Sequence, residues 1–127
     1  MKILNRKAFT MIELVFVIVV IGILAAIAVP KMAVTRDDAI VAKGRASVGA
    51  LRSAISMERQ KRILQGNFDD IDGEDAEDLL DYGLDSRWSR SDDTFTFTGP
   101  QSTSCVFTVS NNKLTKGSCS VTGMSDL

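Results

Sequence analysis

The chain has 127 residues, 45% of them hydrophobic, with 15 basic against 16 acidic side chains and no histidine. That length holds one domain at most beyond any membrane segment, and the missing histidine removes the commonest general base and a favoured zinc ligand. Lys2, Arg6 and Lys7 all precede the apolar N-terminal run, and without them the formal charge is −4, which argues against a nucleic-acid footprint.

The run comes first. From Leu14 to Val29 sixteen residues carry no charge, and from Phe9 to Val29 the single charged side chain is Glu13. As a helix, Phe9–Val29 would reach roughly 31 Å, about the thickness of a bilayer's hydrocarbon core. Basic residues on one flank only place the N-terminus in the cytoplasm and the remainder across the membrane. Three readings compete: a conventional signal peptide cut after Ala26-Ile27-Ala28, a plain anchor, and an inserted helix whose carboxylate serves assembly. Glu13 weighs against the first two, because a charge in the apolar layer costs a few kcal/mol and marks a function with a partner.

The stretch "KAFTMIELVFVIVVIGILAAIAVP" resembles the N-terminus of type IV pilins and of type II secretion pseudopilins. The likeness covers roughly residues 2 to 35: a basic leader (Met1–Ala8), a Phe-Thr-x-x-Glu start, an unbroken apolar helix, and Pro30 seventeen positions after Glu13. The resemblance implies cleavage by a prepilin peptidase between Ala8 and Phe9 and N-methylation of the new Phe9 amine. It also implies that Glu13 pairs with the Phe9 amine of a neighbouring subunit during assembly. Ala8 stands where the family usually has glycine, and a subsite built for a small side chain should still accept it. In such filaments the helix melts around the segment matching Gly22 and Pro30. Pro30 lacks an N–H and crowds the Ala26 carbonyl, which predicts a kink; Gly22 weakens the helix by about 1 kcal/mol relative to alanine.

Beyond Pro30, residues Val41, Gly44, Val48, Leu51 and Ile55 recur at helical spacing, predicting one helix from about Phe9 to Gln65 that ends at Gly66. Ala42, Gly44, Ala46, Gly49 and Ala50 would admit a close neighbour. An acidic connector, "NFDDIDGEDAEDLLDYGLDS", follows. Asp70 and Asp72 are calcium candidates, but the EF-hand template fails at Phe68 and Leu79; a solvated loop leading to a short helix over Glu74–Tyr82, ended by Gly83, is the better reading. Thr94–Thr98 and Cys105–Ser110 alternate with period two, and Asn111-Asn112 is a turn into "KLTKGSCSV". Three or four antiparallel strands are expected, with Phe95, Phe97, Phe107 and Leu114 on the helix-facing side and Trp88 in the core or at an edge. In an exported chain Cys105 and Cys119 form a disulfide stapling the last two strands.

The expected architecture is α+β, a long N-terminal helix packed on a small antiparallel sheet. Its parts are a leader (1–8), a transmembrane and assembly helix (9–30), an amphipathic continuation (31–66), an acidic connector (67–93) and a disulfide-closed sheet (94–127). The expected function is structural: a pseudopilin or pilin that polymerises from the bacterial inner membrane for type II protein secretion or DNA uptake. The alternative is a surface type IV pilus serving adhesion or motility, and a periplasmic domain with a conventional signal peptide is the remote one. No enzyme activity and no cofactor is expected, calcium being the one candidate ligand. A homo-oligomeric filament, minor pilins, prepilin peptidase, platform protein, assembly ATPase and membrane lipid are the partners the resemblance implies. No specific nucleic acid is expected; only the scattered set Arg52, Arg59, Lys61 and Arg62 speaks for DNA.

Overall fold

The structure, a computed structural model, describes residues 8–127. Contacts divide the chain into two units, Met1–Arg36 and Asp37–Leu127. Helix α1, Met11–Leu64, opens in the first and ends in the second. The helical conformation runs through Gly22 and Pro30 and past Thr35 to Asp38. Its start is set by Thr10, whose hydroxyl accepts from the Glu13 N–H at 3.3 Å while its carbonyl accepts from Glu13 and Leu14, the N-cap arrangement that satisfies otherwise orphaned amides. Its end is a Schellman turn: Gly66 sits at φ +77, Gly66 N–H reaches the Ile63 carbonyl at 3.0 Å and Asn67 N–H the Arg62 carbonyl at 2.9 Å.

In the first unit every apolar side chain from Met11 to Met32 for which burial is described is exposed. The second unit carries the core. There Val48, Leu51 and Ile55 of α1 pack with Phe95, Phe97, Cys105, Phe107, Val109, Val121 and Met124 in one buried cluster. The spacing of the helical members is the amphipathic stripe seen in the sequence.

The sheet is a four-stranded antiparallel meander in the order β1 (Trp88–Ser91), β2 (Thr94–Thr98), β3 (Ser104–Ser110), β4 (Lys113–Cys119). Because successive strand side chains alternate faces, Phe95 and Phe97 turn inward and Thr94, Thr96 and Thr98 outward. Strand β1 falls inside the segment read from sequence as acidic connector. Trp88 on this edge strand is buried and lies 5.1 Å from the Phe97 ring and 5.8 Å from the Phe107 ring. Asn111 and Asn112, at φ 50 and 59, form the two-residue turn between β3 and β4, the left-handed pair that a hairpin of this type requires.

The connector helix α2 is shorter than the sequence suggests: it spans Gly73–Asp78, not Glu74–Tyr82. Asp72 caps its start by accepting from the Asp75 N–H at 2.8 Å. Glu74, Asp75, Glu77 and Asp78 leave its last turn without a basic residue, and acidic side chains oppose the negative end of a helix dipole. The chain instead turns, with Leu79, Leu80 and Leu84 half-buried, and reverses at Gly83, φ +64.

Candidate assembly site

The first helical turn is where charge and apolarity meet. Thr10 occupies the N-cap and Glu13 the third helical position, the T-x-x-E spacing of a capping box. Half of that box is made. Glu13 donates its backbone N–H to the Thr10 hydroxyl, while among the described residues its carboxylate accepts no hydrogen bond and joins no ion pair. The side chain borders a shallow apolar groove formed by Ile12, Val15, Phe16 and Val19. A carboxylate held there gains nothing from its own helix beyond the favourable sign of the N-terminal dipole. The T-x-x-E signal is legible in the sequence, yet reading Glu13 for its charge alone passes over Thr10.

Ala8 and Phe9 precede the helix and are exposed; the rest of the leader, with Lys2, Arg6 and Lys7, lies outside the described residues. Gly22 and Pro30 both lie inside α1, Pro30 without an N–H to donate, and a Cβ built on Gly22 meets nothing within 4 Å. The helix is long and apolar enough to cross a membrane, and none of its apolar window is buried.

In the second unit Cys105 and Cys119 are disulfide-bonded across the paired strands β3 and β4. Asp70 and Asp72 serve the fold: Asp70 accepts from the Asn112 side-chain amide, whose oxygen in turn accepts from the Ile71 N–H at 2.9 Å, and Asp72 caps α2. Among the described residues no three His, Cys, Asp or Glu side chains gather into a metal cage. The basic set is likewise engaged internally. Arg59 donates to the Phe68 and Asp69 carbonyls, Arg52 to the Leu127 carbonyl, and Lys61 and Arg62 to Glu58. Arg62 also pairs with Asp75 at 2.9 Å, tying α1 to α2.

Three further carboxylates stand out electrostatically. The hydrogen bonds of Arg62 and then Lys61 hold Glu58 below the usual carboxylate range. Lys43, 2.9 Å away, lowers Asp85. Arg45 lowers Asp126, donating to both its oxygens at 2.7 and 3.1 Å and also to the Gly123 carbonyl. The Asp85 and Asp126 pairs lace the connector and the C-terminal tail to α1.

An exposed apolar helix with an acid in its first turn, continued into a small disulfide-closed α+β unit, defines a pilin-like class of protein. Residues 3–29 match the prokaryotic N-terminal methylation motif. Over 54 residues, 42% of this chain and 47% of the relative, the sequence is 48% identical to the type IV narrow pilus major component PilA5 of Thermus thermophilus. The chain thus matches about half the length of that curated relative. No solved structure matches it significantly. The motif match and the relative make part of the chain similar to type IV pilins.

Proposed function

We propose that the chain is a filament subunit, cut between Ala8 and Phe9 by a prepilin peptidase, methylated on the Phe9 amine, and polymerised from the bacterial inner membrane with its C-terminal unit in the periplasm. The observation that carries this reading is the Glu13 carboxylate, which lacks a counter-ion among the described residues and stands on a stretch of helix whose apolar side chains are exposed from Met11 to Met32. In lipid such a group needs a positive partner, and the Phe9 amine of a neighbouring copy is one. Low dielectric strengthens the attraction between the two charges, while neither can offset its own desolvation alone.

Between the two filament types, the printed name of the relative and the Cys105–Cys119 disulfide support a surface type IV pilus. A periplasmic pseudopilus for secretion or DNA uptake is the second reading, favoured by the small size of the unit that follows the helix. Assembly in either case draws on the platform protein, the ATPase and minor pilins of such systems, and requires no cofactor.

Mass spectrometry of the mature N-terminus tests the processing step. N-methylated Phe9 is the expected start; a chain beginning at Val29, or one retaining Met1, overturns it. Glu13→Gln removes the charge with little change in shape, and filament number should then fall steeply. Filaments of normal abundance in that variant refute the pairing.

A further inference from the structure

The unit Asp37–Leu127 presents two unlike features on opposite flanks of α1. On one side the turn Leu79–Leu84 lies beside Ser47 and Ala50. At its tip Tyr82 is fully exposed, and Asp78 and Asp81 beside it join no ion pair among the described residues. On the other side Ile55, Leu114 and Leu127 line a groove of about 450 Å³ together with the polar Ser56 and Asn112 and the cations Arg52 and Lys113. Neither cation is paired with a carboxylate side chain among the described residues; Arg52 donates only to the Leu127 carbonyl. On a helix of 3.6 residues per turn, Ser47 and Ala50 fall roughly a quarter-turn to one side of the buried stripe Val48–Leu51–Ile55, and Arg52 and Ser56 about as far to the other.

We propose that the Tyr82 turn of one copy seats in the Arg52–Lys113 groove of the next. The proposal rests on the filament reading above and names where neighbouring C-terminal units touch. Charge complementarity selects the occupant: an acid-flanked aromatic meets a groove of mixed polarity that carries two cations, and matched potentials steer such encounters and fix their register. Tyrosine supplies a large apolar face with a polar tip, and the Arg52 guanidinium can lie over its ring. Because knob and groove are different surfaces on opposite flanks, the contact is heterologous. Each copy keeps one free knob and one free groove, which propagates a helical array instead of closing a dimer.

Filaments of the full chain treated with a zero-length carbodiimide cross-linker test the contact. An amide between Lys113 and Asp81 or Asp78 is expected, and since these sit on opposite flanks of one unit, it reports two copies. Lys113→Glu should lower filament yield about tenfold or more by placing like charges together, with thermal unfolding of the monomer unchanged, and adding Asp81→Lys should restore the yield. Normal yield in Lys113→Glu, with no cross-link in the unaltered filaments, overturns the contact and leaves the assembly reading standing. An unaltered chain that forms no filaments overturns both.

Discussion

Two glycines on α1 make a sharp test of how the helix meets the sheet. A Cβ built on Gly44 falls 2.6 Å from Phe97 Cζ, 2.8 Å from Cε1 and 3.1 Å from Cε2, about 1 Å inside an ordinary carbon–carbon separation. Phe97 has nowhere to retreat: it is 1% exposed, its ring lies tilted against Trp88, and it is paired across strands with Trp88 on one side and Cys105 on the other. Overpacking of this kind costs about 1–3 kcal/mol, and a rigid ring wedged in place argues for the upper half of that range. Alanine returns up to about 1 kcal/mol through helix propensity, so Gly44→Ala should lose about 1–2 kcal/mol.

Gly49, five residues on, is exposed, and a Cβ there meets nothing within 4 Å. Gly49→Ala should therefore gain about 0.5–1 kcal/mol by the same propensity, with no steric charge against it. Thermal unfolding of the full chain in detergent, followed by circular dichroism, reads both. At roughly 4–8 °C per kcal/mol for a domain of this size, Gly44→Ala should melt about 4–16 °C lower and Gly49→Ala a few degrees higher. Shifts of the same sign in both variants would refute the argument that Phe97 fills the space beside Gly44.

Reducing the Cys105–Cys119 bond, which closes a 14-residue separation, should cost about 3 kcal/mol by loosening the unfolded chain's restriction; the melt with and without reductant, expected to differ by about 12–24 °C, measures it, and an unchanged midpoint contradicts it. Acid should also destabilise the C-terminal unit. Glu58, Asp85 and Asp126 are all held below their ordinary carboxylate range, so the unfolded chain takes up protons first. The stability they add is whole above about pH 4, the unfolded carboxylate value, and is lost as pH falls through their lowered folded values. Denaturation series between pH 7 and pH 2 should show that loss in Lys43→Met to a smaller degree, since Asp85 then has little left to lose.

Much of this architecture is legible in the residues. The apolar run of α1 and its later stripe at Val41, Gly44, Val48, Leu51 and Ile55 carry the helix, and alternation carries β2 and β3. Strand β1 is not legible: Trp-Ser-Arg-Ser holds one apolar residue, and its extended form follows from pairing with β2. The length of α2 is misleading in sequence because Leu79, Leu80 and Tyr82 look like a continuing helical face, while the unfavourable charge at its last turn decides otherwise. Tyr82 thus reads as the last residue of a helix and instead stands fully exposed on a turn. Pairs such as Arg45 with Asp126, 81 residues apart, leave no local signature, since side-chain bonding over that separation exists only once the tail has packed.

Thr10 changes what Glu13 is free to do. A complete capping box would draw the carboxylate back onto the helix start and leave it spoken for. Here the Thr10 hydroxyl satisfies the Glu13 amide, so the helix begins cleanly without help from the acid, and among the described residues both carboxylate oxygens stay free. The surrounding Ile12, Val15, Phe16 and Val19 offer it no hydrogen bond, which raises the cost of leaving it alone in lipid far above that of leaving it alone in water. A buried pair of this kind adds little net stability over apolar packing but penalises every arrangement in which either charge is unmatched. Apolar helices slide past one another with little preference for depth; a charge near one end, with its mate on a neighbour, selects a single offset. On the filament reading proposed above, the one charge between Phe9 and Val29 serves position, and adhesion between copies falls to the apolar helix surface and to the flanks of the C-terminal unit.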